Sequence, residues 1–383
     1  MAQKKIVILG GGMGGIVTAR DLRKHLGKEH RIILIDKNAF HTFQPSYLWI
    51  VIGWRTPAAI TKSYSSLQNY GIEFFNACVL NVDIENKKVE TDNGKVDFDY
   101  LIIALGAEND IPQLFKNQNG IHMFYTFEKA VELSKTIPTF TGGTIAIVQT
   151  EPNIKYPLAP YEAALLISSF YSKRGISNVQ LKIFVPEVTP FPCIGDENNQ
   201  HLLDLLKQHN IEFFLNQKSI KVDTKSKKIT SSTNLQIPYD LVIGIPSCKP
   251  PELLIKSKVS DSSGWIKVNK HTLETDHPNV WAIGDNTIIR LSNGEILPKA
   301  GIFANNQAEV VAYNIAQQIN GTSQKKTFSG YGFFFIETGN GRASYLHGNF
   351  FTEPNPSISW LEPNVTFHWG KVVLEKYWLW RWL

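Results

Sequence analysis

Short apolar runs alternate with stretches of helical spacing along the first third of the chain. Ile6-Val7-Ile8-Leu9 reads as a short buried strand, Ile16 to Leu26 as a helix, Arg31 to Asp36 as a second strand and Tyr100 to Leu105 as a later one. That order predicts a doubly wound α/β beginning. A polar, turn-rich stretch follows at Lys116-Asn117-Gln118-Asn119-Gly120, and the pattern then resumes. A strand at Thr144 to Val148, a helix from about Pro160 to Lys173 and a strand at Gln180 to Val185 form a second βαβ unit. Strands at Leu241 to Ile245 and Val280 to Ile283 precede a helix from about Phe303 to Gln318. The last sixty or so residues change character, becoming aromatic and punctuated by Pro and Asn, and no solenoid period repeats.

At 383 residues the chain has room for two or three domains and a core able to enclose a cofactor. Apolar residues make up 43% and charged residues 19%, ordinary globular usage that leaves no tract suggesting disorder. The formal charge of +5 is spread along the chain without a Lys/Arg stripe that could track phosphates, so nucleic acid is not an expected partner. The N-terminus runs directly into the first strand without a secretory h-region, which predicts a cytoplasmic protein. No stretch approaches the roughly 18 consecutive apolar residues needed to span a bilayer, so any membrane contact is expected from one side. Cys78, Cys193 and Cys248 are too few for a disulfide framework or a four-thiolate zinc site, and none lies in a C-x-x-C; no metal site is expected.

The first strand empties into Gly10-Gly11-Gly12-Met13-Gly14-Gly15, which holds G-x-G-x-x-G at Gly10, Gly12 and Gly15. The first glycine permits a tight turn, the second lets backbone N–H groups approach a pyrophosphate, and the third lets the helix pack on the strand. The helix N-terminus then faces the phosphates with its partial positive charge. Asp36 ends the next strand, where a carboxylate can accept from a ribose hydroxyl. A second element, Asn279-Val280-Trp281-Ala282-Ile283-Gly284-Asp285, is a strand ending in Gly-Asp and is followed by a helix. It resembles the flavin-binding signature of two-dinucleotide-domain flavoproteins, in which the aspartate holds the ribityl chain of FAD. Asp99 to Ala107, through Gly106, resembles the connecting motif of the same superfamily. The expected cofactor is FAD, on Gly10, Gly12, Gly14, Gly15, Asp36, Lys37, Gly106, Gly284, Asp285, Lys299 and Ala300. The expected fold is α/β with two Rossmann-like dinucleotide-binding domains. Residues 1–110 and 270–320 form a discontinuous FAD domain, 111–269 the second domain, and 321–383 a C-terminal quinone-side and membrane-contact segment.

The turn in the second βαβ unit, Gln149 to Glu162, has no glycine, three prolines that remove backbone donors, and two carboxylates. A pyrophosphate finds neither room nor N–H groups there, which argues against NAD(P)H as an ordinary donor. Here the chain resembles the sulfide:quinone oxidoreductase and flavocytochrome c sulfide dehydrogenase family, through Ala159-Pro160-Tyr161-Glu162-Ala163-Ala164, Gln44-Pro45-Ser46, Leu297-Pro298-Lys299-Ala300-Gly301, Gly330-Tyr331-Gly332 and the aromatic C-terminus. The resemblance implies oxidation of a small donor such as sulfide at a cysteine pair beside FAD, with electrons passed to a membrane quinone or a haem partner. The quinone branch is the better match to a chain without a secretion signal. One family cysteine is expected where this sequence has Tyr156, and the other shortly after Gly-Tyr-Gly, where it has Phe333-Phe334-Phe335. A thiolate must accept sulfide as a persulfide, so the usual sulfide mechanism lacks its groups.

Cys193 and Cys248 lie in loops after second-domain strands and are the remaining thiol candidates, although no spacing brings them together; Cys78 reads as a core strand residue. The resemblance places Lys299 and the helix near Phe303 where charge develops on a reduced flavin. Glu162 is a candidate proton relay to quinone or, equally, a helix-dipole carboxylate. On a helical wheel of the tail, Trp369, Val373, Tyr377 and Trp380 share a face, with Lys371, Glu375 and Arg381 opposite and Trp378 and Trp382 interrupting the polar side. This predicts either a monotopic membrane anchor or a helix packed on protein or in a homo-oligomer interface. Two alternatives to a sulfide:quinone reductase-like enzyme stand beside it: an NAD(P)H:quinone oxidoreductase of the type II kind, and a catalytically silent FAD-binding sensor or interaction protein.

Overall fold

In the computed structural model, residues 2–116, 120–218 and 220–383 are described. The polar turn residues 117–119 therefore lie outside the described residues. Five parallel strands form the first sheet, in the order Val280–Ala282, Tyr100–Ile103, Lys5–Leu9, Arg31–Asp36, Glu73–Asn76. Its central strands are almost wholly apolar because both faces are covered, with Ile6, Val7, Ile8 and Leu9 fully buried. A second five-stranded parallel sheet runs Ile121–His122, Leu241–Ile245, Gly143–Gln149, Val179–Phe184, Ile211–Phe214. Three-stranded antiparallel sheets flank these at 79–97 and 221–238.

Helix Met13–His25 packs on helix Gly301–Ile319 beside the first sheet, and helix Ala159–Ser172 opens the second βαβ unit. The expected elements are present with ends shifted by a few residues. The C-terminal segment holds more order than its punctuation suggested: strands Tyr331–Gly339, Arg342–Asn349 and Ser357–Asn364 form an antiparallel sheet, and helix Val365–Trp382 follows. Their aromatic side chains obscured the alternation, because Phe334 and Ile336 bury while Phe333 and Phe335 are only half-covered.

The two faces of the tail helix lie where the helical wheel puts them, with the charged side packed on the protein and the aromatic stripe outward. Lys371, Glu375, Trp378, Leu379 and Trp382 are buried, whereas Trp369 is 58% and Trp380 74% exposed, with Val373 and Tyr377 exposed between them. The polar residues face the protein because ionic partners await them there. Glu375 is reached by Arg55 Nε at 2.9 Å and by the Ser46 hydroxyl at 2.5 Å. Among the described residues no helix is long and apolar enough to cross a membrane.

Candidate functional site

The glycine loop is built by close approach. Gly10 has φ +99°, and a Cβ there would stand 2.4 Å from the Ala104 carbonyl oxygen. A Cβ on Gly15 would stand 1.8 Å from the Gly10 oxygen, so this glycine is what lets the helix meet the strand. Around Gly12 there is open space, on the side where a phosphate group would need it. Helix Met13–His25 has no acidic residue in its first turn and no side-chain cap on Gly12, leaving its N-terminal N–H groups for a ligand. Asp36 accepts the Gly11 N–H at 2.6 Å and the Asn38 N–H at 2.7 Å, which orients its carboxylate at the strand end.

A cavity of about 2140 Å³ runs along this loop and past Gly106, Gly284, Asp285 and Ala300 to an aromatic end. Every residue of the expected cofactor set lines it except Gly15, which acts one layer behind. Residues that motif reading missed complete the cradle. Asn286 Oδ1 accepts the Gly106 N–H at 3.2 Å, tying the connecting motif to the Gly-Asp turn, and Gln307 accepts the Gly284 N–H at 2.7 Å. His41 donates from Nδ1 to the Gly11 carbonyl, and burial pushes its pKa down to about 4. Its bare Nε2 is buried at the cavity wall without a partner among the described residues, an acceptor that a bound hydroxyl would satisfy. The open phosphate side, the uncapped helix and this orphan acceptor fit a dinucleotide.

Lys299 is half-buried on the cavity wall. Its Nζ donates to the carbonyls of Asp285 at 2.8 Å and Thr287 at 3.1 Å and lies 3.6 Å from the centre of the Trp265 ring. Burial lowers its pKa, but its hydrogen bonds brace the Gly-Asp turn. Helix Gly301–Ile319 begins beside it with no acidic first turn, so its positive end faces the cavity.

At the aromatic end the two positions expected to carry cysteines come together. The Tyr156 ring stacks on Phe334 with centroids 6.0 Å apart, and both line the cavity. Tyr156 holds φ +49°, unusual for a bulky side chain, while its N–H donates to the Lys299 carbonyl. Its hydroxyl donates to Glu162 Oε2 at 2.7 Å, and Lys371 donates to the other oxygen of that fully buried carboxylate. Glu162 is thus a cavity-wall carboxylate with a phenol and an ammonium on it.

The thiols stand elsewhere. Cys193 Sγ is 3.6 Å from the Ile296 carbonyl and Cys248 Sγ 2.8 Å from that of Asn153; both are free, buried and absent from the cavity wall. Burial pushes their thiols up to about 12 and about 11, away from the reactive thiolate range. The structure does not bring them together as a pair. Cys78, expected in a core strand, instead sits between two strands, half-buried on the cavity wall near Asn76 and Val79.

Comparison with known proteins agrees with this architecture. The chain is 26% identical to the sulfide-quinone reductase of Aquifex aeolicus, covering 99% of this chain and 91% of that one. It is likewise 26% identical to a type II NADH:quinone oxidoreductase of Staphylococcus aureus, covering 85% of this chain and 86% of the relative. The crystal structure of the Aquifex sulfide:quinone oxidoreductase superposes with a TM-score of 0.88 at 24% identity, covering 99% and 91% of the two chains. The resemblance read from the motifs is borne out, and so is the fold of two dinucleotide-binding units. A family model for pyridine nucleotide-disulphide oxidoreductases matches residues 4–149 and 161–309, leaving out the turn that contains Tyr156. With both parallel sheets, the glycine loop and the Gly-Asp turn inside those segments, this chain belongs to the pyridine nucleotide-disulphide oxidoreductase family.

Proposed function

We propose that this chain is an FAD-dependent oxidoreductase that takes an electron pair from a small reduced donor, sulfide or another non-nicotinamide compound, and delivers it to a quinone. The observation that carries the reading is the continuity of one cavity from the glycine loop to the Tyr156, Glu162, Phe333 to Phe335 and Lys371 wall. Relatives of two kinds, the Aquifex and Staphylococcus enzymes, carry quinone in their names and support the acceptor. We divide the chain as expected from its motifs, with residues 1–110 and 270–320 holding FAD, 111–269 as the second unit and 321–383 on the quinone side.

FAD bound here would supply an isoalloxazine ring that stores the electron pair. Gly12, the helix N-terminus behind it and His41 would hold the phosphate and hydroxyl groups, with Asp36, Lys37, Gly106 and Asp285 along the remaining length. The N-terminus of helix Gly301–Ile319 and the braced Lys299 stabilise negative charge at their end of the cavity. Phe333 and Phe335 give the far end an apolar, planar lining, while Tyr156, Glu162 and Lys371 hold transferable protons against it. The exposed Trp369, Val373, Tyr377 and Trp380 stripe, with Lys376 and Arg381 nearby, suits a headgroup layer and supports approach to quinone from a membrane surface.

The aromatic pair of Tyr156 and Phe334 leaves no thiol to form a cysteine persulfide at this end. A nicotinamide donor is disfavoured by the turn before helix Ala159–Ser172. There Asn153 turns its carbonyl to Cys248, and the Ala159 N–H at the helix start is already taken by the Tyr156 carbonyl. Anaerobic mixing tests the reading. Bleaching of the flavin band by sulfide, with recovery on adding a water-soluble quinone, is the expected result. Bleaching by NADH reassigns the donor, and a flavin that neither donor reduces leaves the silent-carrier alternative.

A further inference from the structure

Behind the Glu162 wall lies a second buried carboxyl for which the mechanism above has no use. Glu337, on strand Tyr331–Gly339, is fully buried, and both its oxygens lie 3.0 Å from His368 Nδ1 on the C-terminal helix. The titratable and charged groups facing it are His368 and Lys371 on that helix, Glu162 and Lys173 on and after helix Ala159–Ser172, Tyr156 from the turn before that helix, and Arg55 from the loop after 47–51.

The two nearer cations are already committed. Lys371 is hydrogen-bonded to Glu162, and Arg55 to Glu375, each pair neutral in itself. Lys173 is exposed, with its ammonium 5.3 Å from the centre of the Trp54 ring. Glu337 is therefore left with a histidine as its sole side-chain hydrogen-bond partner among the described residues. A buried carboxyl in that position keeps its proton, and burial pushes its pKa up to about 8. The same burial, helped by the nearby cations, lowers the pKa of His368, so the imidazole is a neutral proton carrier.

Position completes the case. His368 keeps 13% of its side chain open to solvent between the rings of Trp49, Trp54 and Trp369. The Glu337 backbone N–H donates to Glu162 Oε1 at 3.3 Å, which places its residue directly behind the cavity wall. Lys371, one helical turn after His368, lines the cavity itself. His368 thus joins solvent to the Glu337 carboxyl, and the Glu337 main chain meets the Glu162–Lys371 pair, which lies within electrostatic reach of that carboxyl.

We propose that His368 and Glu337 are the proton inlet of the quinone-reducing end, a role that rests on the function proposed above. Reduction of a quinone to a quinol adds two electrons from the reduced cofactor and two protons to the quinone oxygens. Protons leaving the Tyr156, Glu162 and Lys371 wall are replaced from Glu337, and His368 recharges Glu337 from solvent. Neither residue touches the reacting atoms, so both are positioning and supply residues.

The test uses the FAD-loaded full chain. Infrared difference spectra on flavin reduction at neutral pH should contain a protonated-carboxyl band that Glu337→Gln abolishes. In stopped flow, reoxidation of the reduced protein by a water-soluble quinone should slow on the order of tenfold or more in His368→Ala, and free imidazole should restore it. Glu337→Gln should slow it as much, without rescue, while reduction by the donor is unchanged in both. Wild-type reoxidation rates in His368→Ala, or a carboxyl band that survives in Glu337→Gln, overturn the inlet. Reduced wild-type protein that no quinone reoxidises overturns the function reading instead, and the infrared band still reports on the Glu337 proton.

Discussion

A protonated carboxyl at Glu337 has a consequence for stability that needs no turnover to observe. The folded chain holds this proton up to about pH 8, whereas the unfolded chain releases it near the ordinary glutamate value of 4.5. Between those limits the folded state binds one proton more than the unfolded state, so the free energy of unfolding falls as pH rises. The slope is about 1.4 kcal/mol per pH unit, and the whole interval amounts to on the order of 5 kcal/mol. Below about pH 4.5 the contribution is intact, and above about 8 it is fully lost. Glu337→Gln keeps a neutral polar group of the same shape facing His368 and removes the titration. Urea unfolding of both proteins, followed by tryptophan fluorescence from pH 5 to 9, isolates the effect because other groups cancel in the difference. The variant should gain on the wild type steadily with pH, by several kcal/mol between pH 5 and 8. A difference that stays flat to within about 1 kcal/mol refutes the reasoning, because a carboxylate ionised in both states has no such slope.

Three further outcomes follow from the packing. Gly15→Ala places a Cβ 1.8 Å from the Gly10 oxygen, an overlap that costs more than the roughly 1–3 kcal/mol of ordinary overpacking; the protein should purify with little flavin absorbance and a lowered Tm. Glu375→Ala strands the guanidinium of Arg55 and should destabilise by about 3–5 kcal/mol in denaturant, with the C-terminal helix becoming sensitive to protease before the rest. Replacing Val373 and Trp380 together by Ser removes side chains that are mostly exposed, so circular dichroism and Tm should hold while co-sedimentation with anionic vesicles falls severalfold; unchanged sedimentation rejects the membrane-facing stripe.

The glycine loop, the Gly-Asp turn and the two parallel sheets were legible in the residues because their determinants are local. A φ of +99° at Gly10, a Cβ-free contact at Gly15 and apolar runs of strand length are written within a few neighbouring positions. The absence of thiols at the expected places was legible for the same reason. What stood in for them was not. Tyr156 and Phe334 are far apart in the chain, and only the packing of the C-terminal sheet against helix Ala159–Ser172 stacks their rings. The pairing of Lys371 with Glu162 spans 209 residues, and that of Glu375 with Ser46 spans 329. A helical wheel ranks faces by hydrophobicity, so it sends Lys371 and Glu375 to solvent unless their distant partners are known. The sequence by itself determined the glycine loop and the Gly-Asp turn, since both are made of local backbone. Tertiary structure alone decided where the buried charges go, since the energy of a buried ion depends on which counter-charge lies within a few ångströms.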